Sequence, residues 1–599
     1  MLRLVGLLIL AIAAPALLLA QQKTYVAEAL RGLSNKGKNG TDPYVTAGDR
    51  AYLIGTQDGN FPDIGEHLAG EMGGLWIHPI KLIDGFEATV IDSANGQETR
   101  LEQSTEFINY PYGNRFRYAK TLDDLAVDRF QFSPDGHPAV VVQYRFINSG
   151  KNTRNLRLRL TVGTDLLPVW ESGKIGITDA PDTVVWQPAE GRFLARDRKH
   201  RWFALWGAVG AKGERDASPP PFSRTGMGAA AASSYPVMVT PGDTALLTFV
   251  FAGSTHSSAD AEREFTHVAQ DHGGLLERKK AHYASLIQRG QIRIPDQRLQ
   301  QVYDWVRINS EWLVRDVPGV GRGLSAGLPE YPWWFGTDGA YSMLGLIATG
   351  DFDLVKETLR LLRRESAKAN GNGRIIHEVT TNGVVYNPGN TQETAHFIMT
   401  VGKTVRWTGD LAFAREMYPA MKQGLHWLLT DMDPDHNLFP GGYGVMEVSG
   451  LNAELIDVAV YTQQALVATA EVGRLLADRK SALRYQRLAD ELKRRINDRL
   501  WLQDEGSYAD FYGTREQAIS ATEGAIKQKQ LRGDTTGARD RELIRQYQEL
   551  RAKFSAMPDT SKGWITNRNW VVATPMERGI APRDRAFEAL DRIRKNDVG

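Results

Sequence analysis

Residues 259–270 read ADAEREFTHVAQ, 275–290 read LLERKKAHYASLIQRG and 296–316 read DQRLQQVYDWVRINSEWLVRD. Apolar residues in these three stretches recur at three- and four-residue intervals, which predicts helices. Upstream the grammar differs. PAVVVQYRFINSG (138–150), NLRLRLTVGTDLLPVW (155–170), DTVVWQPAEGRFLAR (182–196), HRWFALWGAV (200–209) and DTALLTFVFAG (243–253) are short β-branched or aromatic runs separated by Asp-Gly, Ser-Gly and Pro-Gly turns. Strands this closely spaced read as a β-sandwich, not as βαβ units. SPPPFSRTGMGAAAASS (218–234) reads as a loop inside it.

Downstream, helical segments are expected at 339–349, 352–369, 390–408, 410–430, 452–476, 480–501, about 515–530, 539–555 and 582–595. In the 452–476 segment Leu455, Val458, Ala459, Thr462, Leu466, Thr469 and Val472 define one face. Asp351, Gly409-Asp410 and Pro582 mark helix starts. The predicted organisation is a signal peptide (1–20), a β-sandwich domain (21–258), linker helices (259–293) and a helical catalytic domain (294–599).

Composition narrows the function. The 599 residues carry 72 Lys and Arg against 71 Asp and Glu, a net charge of +1. That balance opposes a nucleic-acid footprint. Cys is absent, which excludes disulfides, thiolate nucleophiles and Cys-ligated metals. Residues 1–20, MLRLVGLLILAIAAPALLLA, have a basic start, an apolar run and small residues before Gln21. This is the pattern of a cleaved secretory leader, giving a periplasmic or secreted protein with no membrane attachment after cleavage.

The candidate site lies in three aromatic, glycine-rich loops. In GGYGVMEVSG (441–450) the glycines allow close backbone approach beside Tyr443, and Val445 and Met446 would desolvate Glu447, as a general acid requires. The alternative for Glu447 is a helix-start carboxylate favoured by the dipole. In YPWWFGTDGAYS (331–342), Trp333 and Trp334 offer sugar-stacking faces, and Asp338 would either accept sugar hydroxyls or cap the next helix. His377 and Glu378, in GRIIHEVTTNG, are read either as a polar pair lining the cleft and binding substrate or as a satisfied loop hydrogen-bond pair; Thr381 breaks the H-E-x-x-H zinc pattern. Glu393 and His396 begin the next helix, where capping is the default. GVGRGLSAG (319–327) follows no convincing strand, and DMDPDHN (431–437) lacks the Gly and terminal Glu of a calcium loop. No metal or organic cofactor is expected.

The order IPDQRLQQVYDWVRINSEWLV, W-W-F-G-x-D, G-R-I-I-H-E, R-W-T-G-D and G-V-M-E before AVYTQQAL resembles the bacterial glycogen-debranching, amylo-α-1,6-glucosidase-like proteins, relatives of glucoamylases and processing α-glucosidases. The resemblance implies an (α/α)6 toroid after the sandwich and an inverting glycoside hydrolase acting on α-glucans or oligosaccharides. By position it makes Glu447 the general acid and Asp338 the sugar-holding aspartate, with Thr337 where Arg is usual. It places the general base between the last two toroid helices, beyond Gly599, so the toroid is expected to be incomplete here; Glu577, in NWVVATPMERGIAP, is read as a cleft residue. The alternatives are a disaccharide phosphorylase of the same architecture and a non-catalytic glycan-binding protein.

Overall fold

A computed structural model of the chain describes residues 25–596 apart from 218–221, 223–225, 447, 449–450, 532, 534, 567–569 and the side chain of 596. Residues 1–20 and Glu447 therefore lie outside the described residues. Two compact units emerge. One comprises residues up to Trp334 with Thr380–Val384; the other comprises Phe335–Val379 and the chain from Val385 onward.

The first unit is built on two antiparallel sheets. One has nine strands, with Ala139–Asn148 between Leu125–Phe132 and Thr244–Ser254 near its middle. The other has eight, with Arg154–Thr164 between Ile80–Asp92 and Ala230–Val239. The first half of Arg154–Thr164 alternates, with Leu156, Leu158 and Leu160 buried and Asn155 and Arg157 exposed, and from Leu160 to Thr164 every residue, Val162 included, is buried. They meet Phe86, Phe116, Val127, Val142, Tyr144, Trp206 and Phe249 in one core. The strand Ala230–Val239 takes in the last residues of the 218–234 segment read as loop, because Ala231 and Ala232 are small enough to pack as strand residues against Arg154–Thr164.

The run AVVV at 139–142 is apolar on both faces for a reason. Val140 and Val142 enter the core between the sheets, whereas Ala139 and Val141 meet Ala261, Phe265 and Val268 of the helix Ser258–Gln288. That helix, kinked at Asp271, covers the outer face of the nine-stranded sheet. The helix Gln297–Trp312 packs through Ile308 on Tyr283, Leu286 and Ile287. Both helices thus cluster with the sheets, and the boundary between the two compact units falls at Trp334/Phe335.

One ion cluster is buried among the strands. The Lys81 ammonium, 1% exposed, contacts the carboxylates of Glu71, Asp84 (2.7 Å) and Asp165 (3.3 Å). Burial pushes Asp84 up to about 7 despite Lys81. These three acids bring ligand oxygens within 4.8 Å of one another, and the lysine sits among them as their counter-ion.

The second unit consists of helices Thr337–Thr349, Phe352–Ala369, Thr391–Thr408, Leu411–His426, Ile456–Leu475, Arg479–Arg499, Arg515–Leu531, Ala538–Ser555, Thr574–Glu577 and Arg583–Asn596. Asp410 caps the fourth of these through its side chain, accepting from Ala412 N and Phe413 N at 3.0 and 2.9 Å. The segment predicted from 452 starts at Ile456, because Ala453–Leu455 pair as a strand with Phe511–Gly513. Helices buried nearly all round (Thr391–Thr408, Ile456–Leu475) alternate with helices buried on one stripe (Phe352–Ala369, Arg479–Arg499). That alternation marks an inner and an outer layer of hairpins. Gly402 lets the two inner helices touch: a Cβ there would lie 2.7 Å from that of Ala468. Among the described residues no helix is long and apolar enough to cross a membrane.

The packing of the long helix on the sheet is testable. Phe265→Ala should lower the stability of the first unit by about 3–5 kcal/mol, the usual loss for a buried aromatic. Chemical denaturation followed by tryptophan fluorescence checks it; a change under about 1 kcal/mol would mean that the helix is not part of that core.

Candidate active site

The inner helices of the second unit bring their N-termini together around Glu393. This carboxylate is wholly buried. Its Oε1 lies 2.7 Å from His377 Nδ1 and accepts from Thr337 Oγ1 at 3.2 Å; its Oε2 accepts from the backbone N–H of Asn390 at 2.6 Å. The last bond is half of a capping box at the start of Thr391–Thr408. The glycine of W-W-F-G is required by close approach: a Cβ on Gly336 would meet Ile376 O at 2.5 Å and Glu393 Cγ at 2.8 Å. Its N–H donates to His377 O at 2.7 Å.

One turn further along, the side chains repeat the arrangement. Tyr341, His396 and Tyr461 follow Asp338, Glu393 and Asp457 by three or four residues. Tyr341 Oη and Tyr461 Oη are 2.5 Å apart. The His396 ring sits 4.1 Å from that of Tyr461 and 5.0 Å from that of Tyr341. Three helices that meet at both levels run parallel, so their positive dipole ends gather where the carboxylates are. Burial, then the Arg578 charge, lowers His396 to about 3, so its imidazole is neutral at physiological pH. The Arg578 guanidinium lies 5.7 Å from the Tyr461 ring and pairs with Glu577 at 2.9 Å.

Asp457, in the first turn of Ile456–Leu475, is buried, and burial pushes it up to about 6. Its Oδ2 accepts from Val445 N–H at 2.9 Å; its Oδ1 has no hydrogen-bond partner among the described residues. Gly444, at φ +60°, permits this approach, since a Cβ there would lie 2.4 Å from Leu455 Cδ1. Gly442 likewise lies against Thr391, where a Cβ would meet Oγ1 at 2.4 Å. The glycine-rich loop is therefore fastened to two inner-helix starts. Among the described residues Gln392 Oε1 and His396 Nε2 are also buried without a hydrogen-bond partner. Gln392, His396 and Asp457 all lie in the first two turns of their helices, and buried polar atoms of this kind call for an explanation.

The sequence-predicted residues divide accordingly. Glu447 lies outside the described residues; its neighbours Met446 and Val448 are buried, and Tyr443 is 43% exposed. Asp338 is exposed in the first turn of its helix, and the cap position belongs to Gly336. Thr337, in place of the usual Arg, serves Glu393 instead of reaching outward. His377 bonds Glu393, and Glu378 is buried in a short strand facing Asn387. Glu577 is exposed. The stacking role read for Trp333 and Trp334 is corrected: both are 0% exposed, and Trp333 stacks on Trp170 with ring centres 5.4 Å apart. Neither indole has a free face. The sequence reading did not single out Asp457, Tyr341, Tyr461 or Arg578. The Asp457–Tyr461 spacing of four was available as a signal, masked by the apolar face next to it.

Two outcomes follow. Trp333→Ala should destabilise the first unit by about 3–5 kcal/mol without the selective loss of sugar affinity that a platform would show; thermal melts beside ligand titration decide. For Asp457, a carboxyl pKa raised on folding means that the neutral form is favoured in the native state. Its stabilising effect is full below about pH 4 and is lost as pH rises through 6. Asp457→Asn keeps the acceptor for Val445 and removes the ionisation, so it should raise stability at pH 7.5 by roughly 2–3 kcal/mol and leave it unchanged near pH 4. Equal destabilisation at both pH values would contradict the raised pKa.

Comparison with known proteins places this site in context. Residues 333–550 match the bacterial α-L-rhamnosidase six-hairpin glycosidase domain. The structure is similar to a bacterial glucoamylase complexed with acarbose, at 11% identity and TM-score 0.51 over 80% of this chain and 69% of that one. It is also similar to a protein from the human microbiome assigned as a kojibiose phosphorylase, at 8% identity and TM-score 0.51 over 78% of this chain and 69% of the other. No curated protein matches the sequence. The chain has the glucoamylase-like fold, a sheet-rich sandwich followed by a six-hairpin helical toroid, with a glycosidase-type domain in its helical part.

Proposed function

We propose that the protein is a glycoside hydrolase that cleaves α-glucosidic bonds in α-glucans or oligosaccharides with inversion. The observation that carries this reading is the meeting of three inner-helix starts around Asp338, Gln392, His396 and Asp457. There, buried polar atoms without hydrogen-bond partners among the described residues and an exposed carboxylate stand at helix starts, one of which fastens the glycine-rich loop through Asp457.

In this reading Glu447 protonates the leaving glycosidic oxygen. It stands two residues after Val445, whose N–H Asp457 holds, so Asp457 is a positioning residue for the acid. Asp338 and Glu577 accept sugar hydroxyls. A water activated by a second carboxylate attacks the anomeric carbon from the opposite face, and the cleft carboxylates stabilise the oxocarbenium-like transition state. Neutral His396 can donate or accept without adding positive charge beside that cation. No step requires a metal or organic cofactor. A second reading, a disaccharide phosphorylase, is favoured by the likeness to the kojibiose phosphorylase; phosphate would then replace water as the nucleophile.

The test is Glu447→Gln in the full chain. On an unactivated α-linked oligosaccharide kcat should fall by about 10²–10⁴-fold with substrate affinity retained. Substrates with very acidic leaving groups should be rescued in part. Normal turnover of the unactivated substrate by the variant would remove Glu447 from the mechanism. Strict dependence of turnover on added phosphate would replace the hydrolase with the phosphorylase.

A further inference from the structure

We propose that the sheet-rich unit carries a binding site of its own for a monosaccharide-sized polyhydroxyl ligand, in a pocket walled by Asp49, Asp135, His282, Glu311 and Arg322. The cavity measures about 240 Å³, below the roughly 300–1,000 Å³ of pockets for drug-sized ligands. It uses no residue of the helical unit.

The walls are fixed before any ligand arrives. Asp49 Oδ1 accepts from Gly136 N–H at 2.7 Å, which joins two sheet turns. The Asp49 carbonyl accepts from Asp316 N–H at 2.9 Å, which ties in the hairpin that bears Arg322. Ser133 Oγ lies 3.0 Å from the carbonyl oxygens of both Ala51 and Ala139, which share its single donor proton. Gly48 packs so closely on that serine that a Cβ would lie 2.4 Å from its Oγ. The helix Ser258–Gln288 contributes His282 and Tyr283, and Gln297–Trp312 contributes Glu311 from its last turn.

Each carboxylate is half engaged. Asp135 Oδ1 holds the buried Lys279 ammonium at 2.6 Å. Glu311 Oε1 lies 2.7 Å from His282 Nε2, and Asp49 Oδ1 is taken by Gly136. One oxygen of each carboxylate is thus held by the protein, and all three side chains line the pocket, where they supply acceptors. The bond to Glu311 raises the His282 pKa, and that bond together with the charges of His282, Arg322 and Lys279 lowers the Glu311 pKa in spite of burial. His282 is thus biased towards its doubly protonated form, which leaves Nδ1–H as a donor beside the Arg322 guanidinium. Acceptors interleaved with donors suit groups that do both, namely vicinal hydroxyls. An anion would meet three carboxylates. A bare metal ion would need their oxygens closer together than they are: among the described residues, only Glu71, Asp84 and Asp165 come within ligating range of one another.

The experiment uses the full chain and three probes, D-glucose, L-rhamnose and myo-inositol, read by saturation-transfer NMR. At least one should bind saturably in the wild type. Glu311→Gln and Arg322→Gln should each weaken that binding by roughly tenfold, the loss of one charge-assisted hydrogen bond. Their melting temperatures and glycoside turnover should stay at wild-type levels. Arg322 lies on the hairpin of Val314–Val317 and Gly321–Leu324, apart from the helix ends that carry His282 and Glu311, so it keeps the test decisive if the Glu311 variant folds poorly. Affinity unchanged in the folded variants, no binding of any probe, or competition by calcium alone would each overturn the proposal. A chain that binds the probes through Glu311 but hydrolyses no glycoside leaves this site standing and removes the hydrolase reading; the converse pattern removes only this site.

Discussion

The helical unit depends on a buried charge. Glu393 is cut off from water, and a carboxylate in that position is tolerated only if its oxygens are well partnered. Its partners come from three chain segments: the start of Thr337–Thr349, the His377 loop and the turn before Thr391. Satisfying one carboxylate therefore fixes the mutual position of all three. The close contact of Gly336 with Ile376 O and Glu393 Cγ belongs to the same constraint, because any side chain there would push the segments apart.

Glu393 and Asp457 illustrate two uses of a buried acid at helix starts. Glu393 has both oxygens occupied and serves as a structural tie. Asp457 has one oxygen on Val445 and one without a hydrogen-bond partner among the described residues, and burial raises its pKa to about 6. An acid held at that expense of stability, next to the loop that bears Glu447, is better explained by function than by packing. The neutral His396 and the paired tyrosines beneath complete a polar floor that the helix dipoles keep favourable for negative charge.

Much of the fold was readable from periodicity alone. The strand runs formed two sheets, and the helices fall within a few residues of the predicted segments because Asp351 and Asp410 stand at their starts. The misreadings share one cause, burial on a second face. Periodicity found the Leu455–Val472 stripe of Ile456–Leu475, but that helix is buried nearly all round, so Asp457 and Tyr461 on its other side went unnoticed. Trp333 and Trp334 carry the composition of a sugar platform, yet the stacking partner is Trp170, far away in sequence. His377 stands next to Glu378 in sequence, and its ring bonds Glu393, sixteen residues on. Local sequence cannot report contacts of that kind.

The most direct measurement is the configuration and identity of the first product released from an α-linked glucose oligosaccharide by the full chain, followed by proton NMR before mutarotation. The account predicts free sugar that appears first as the β-anomer, at a rate independent of added phosphate. Release of a sugar phosphate, of the α-anomer first, or of no product would contradict it.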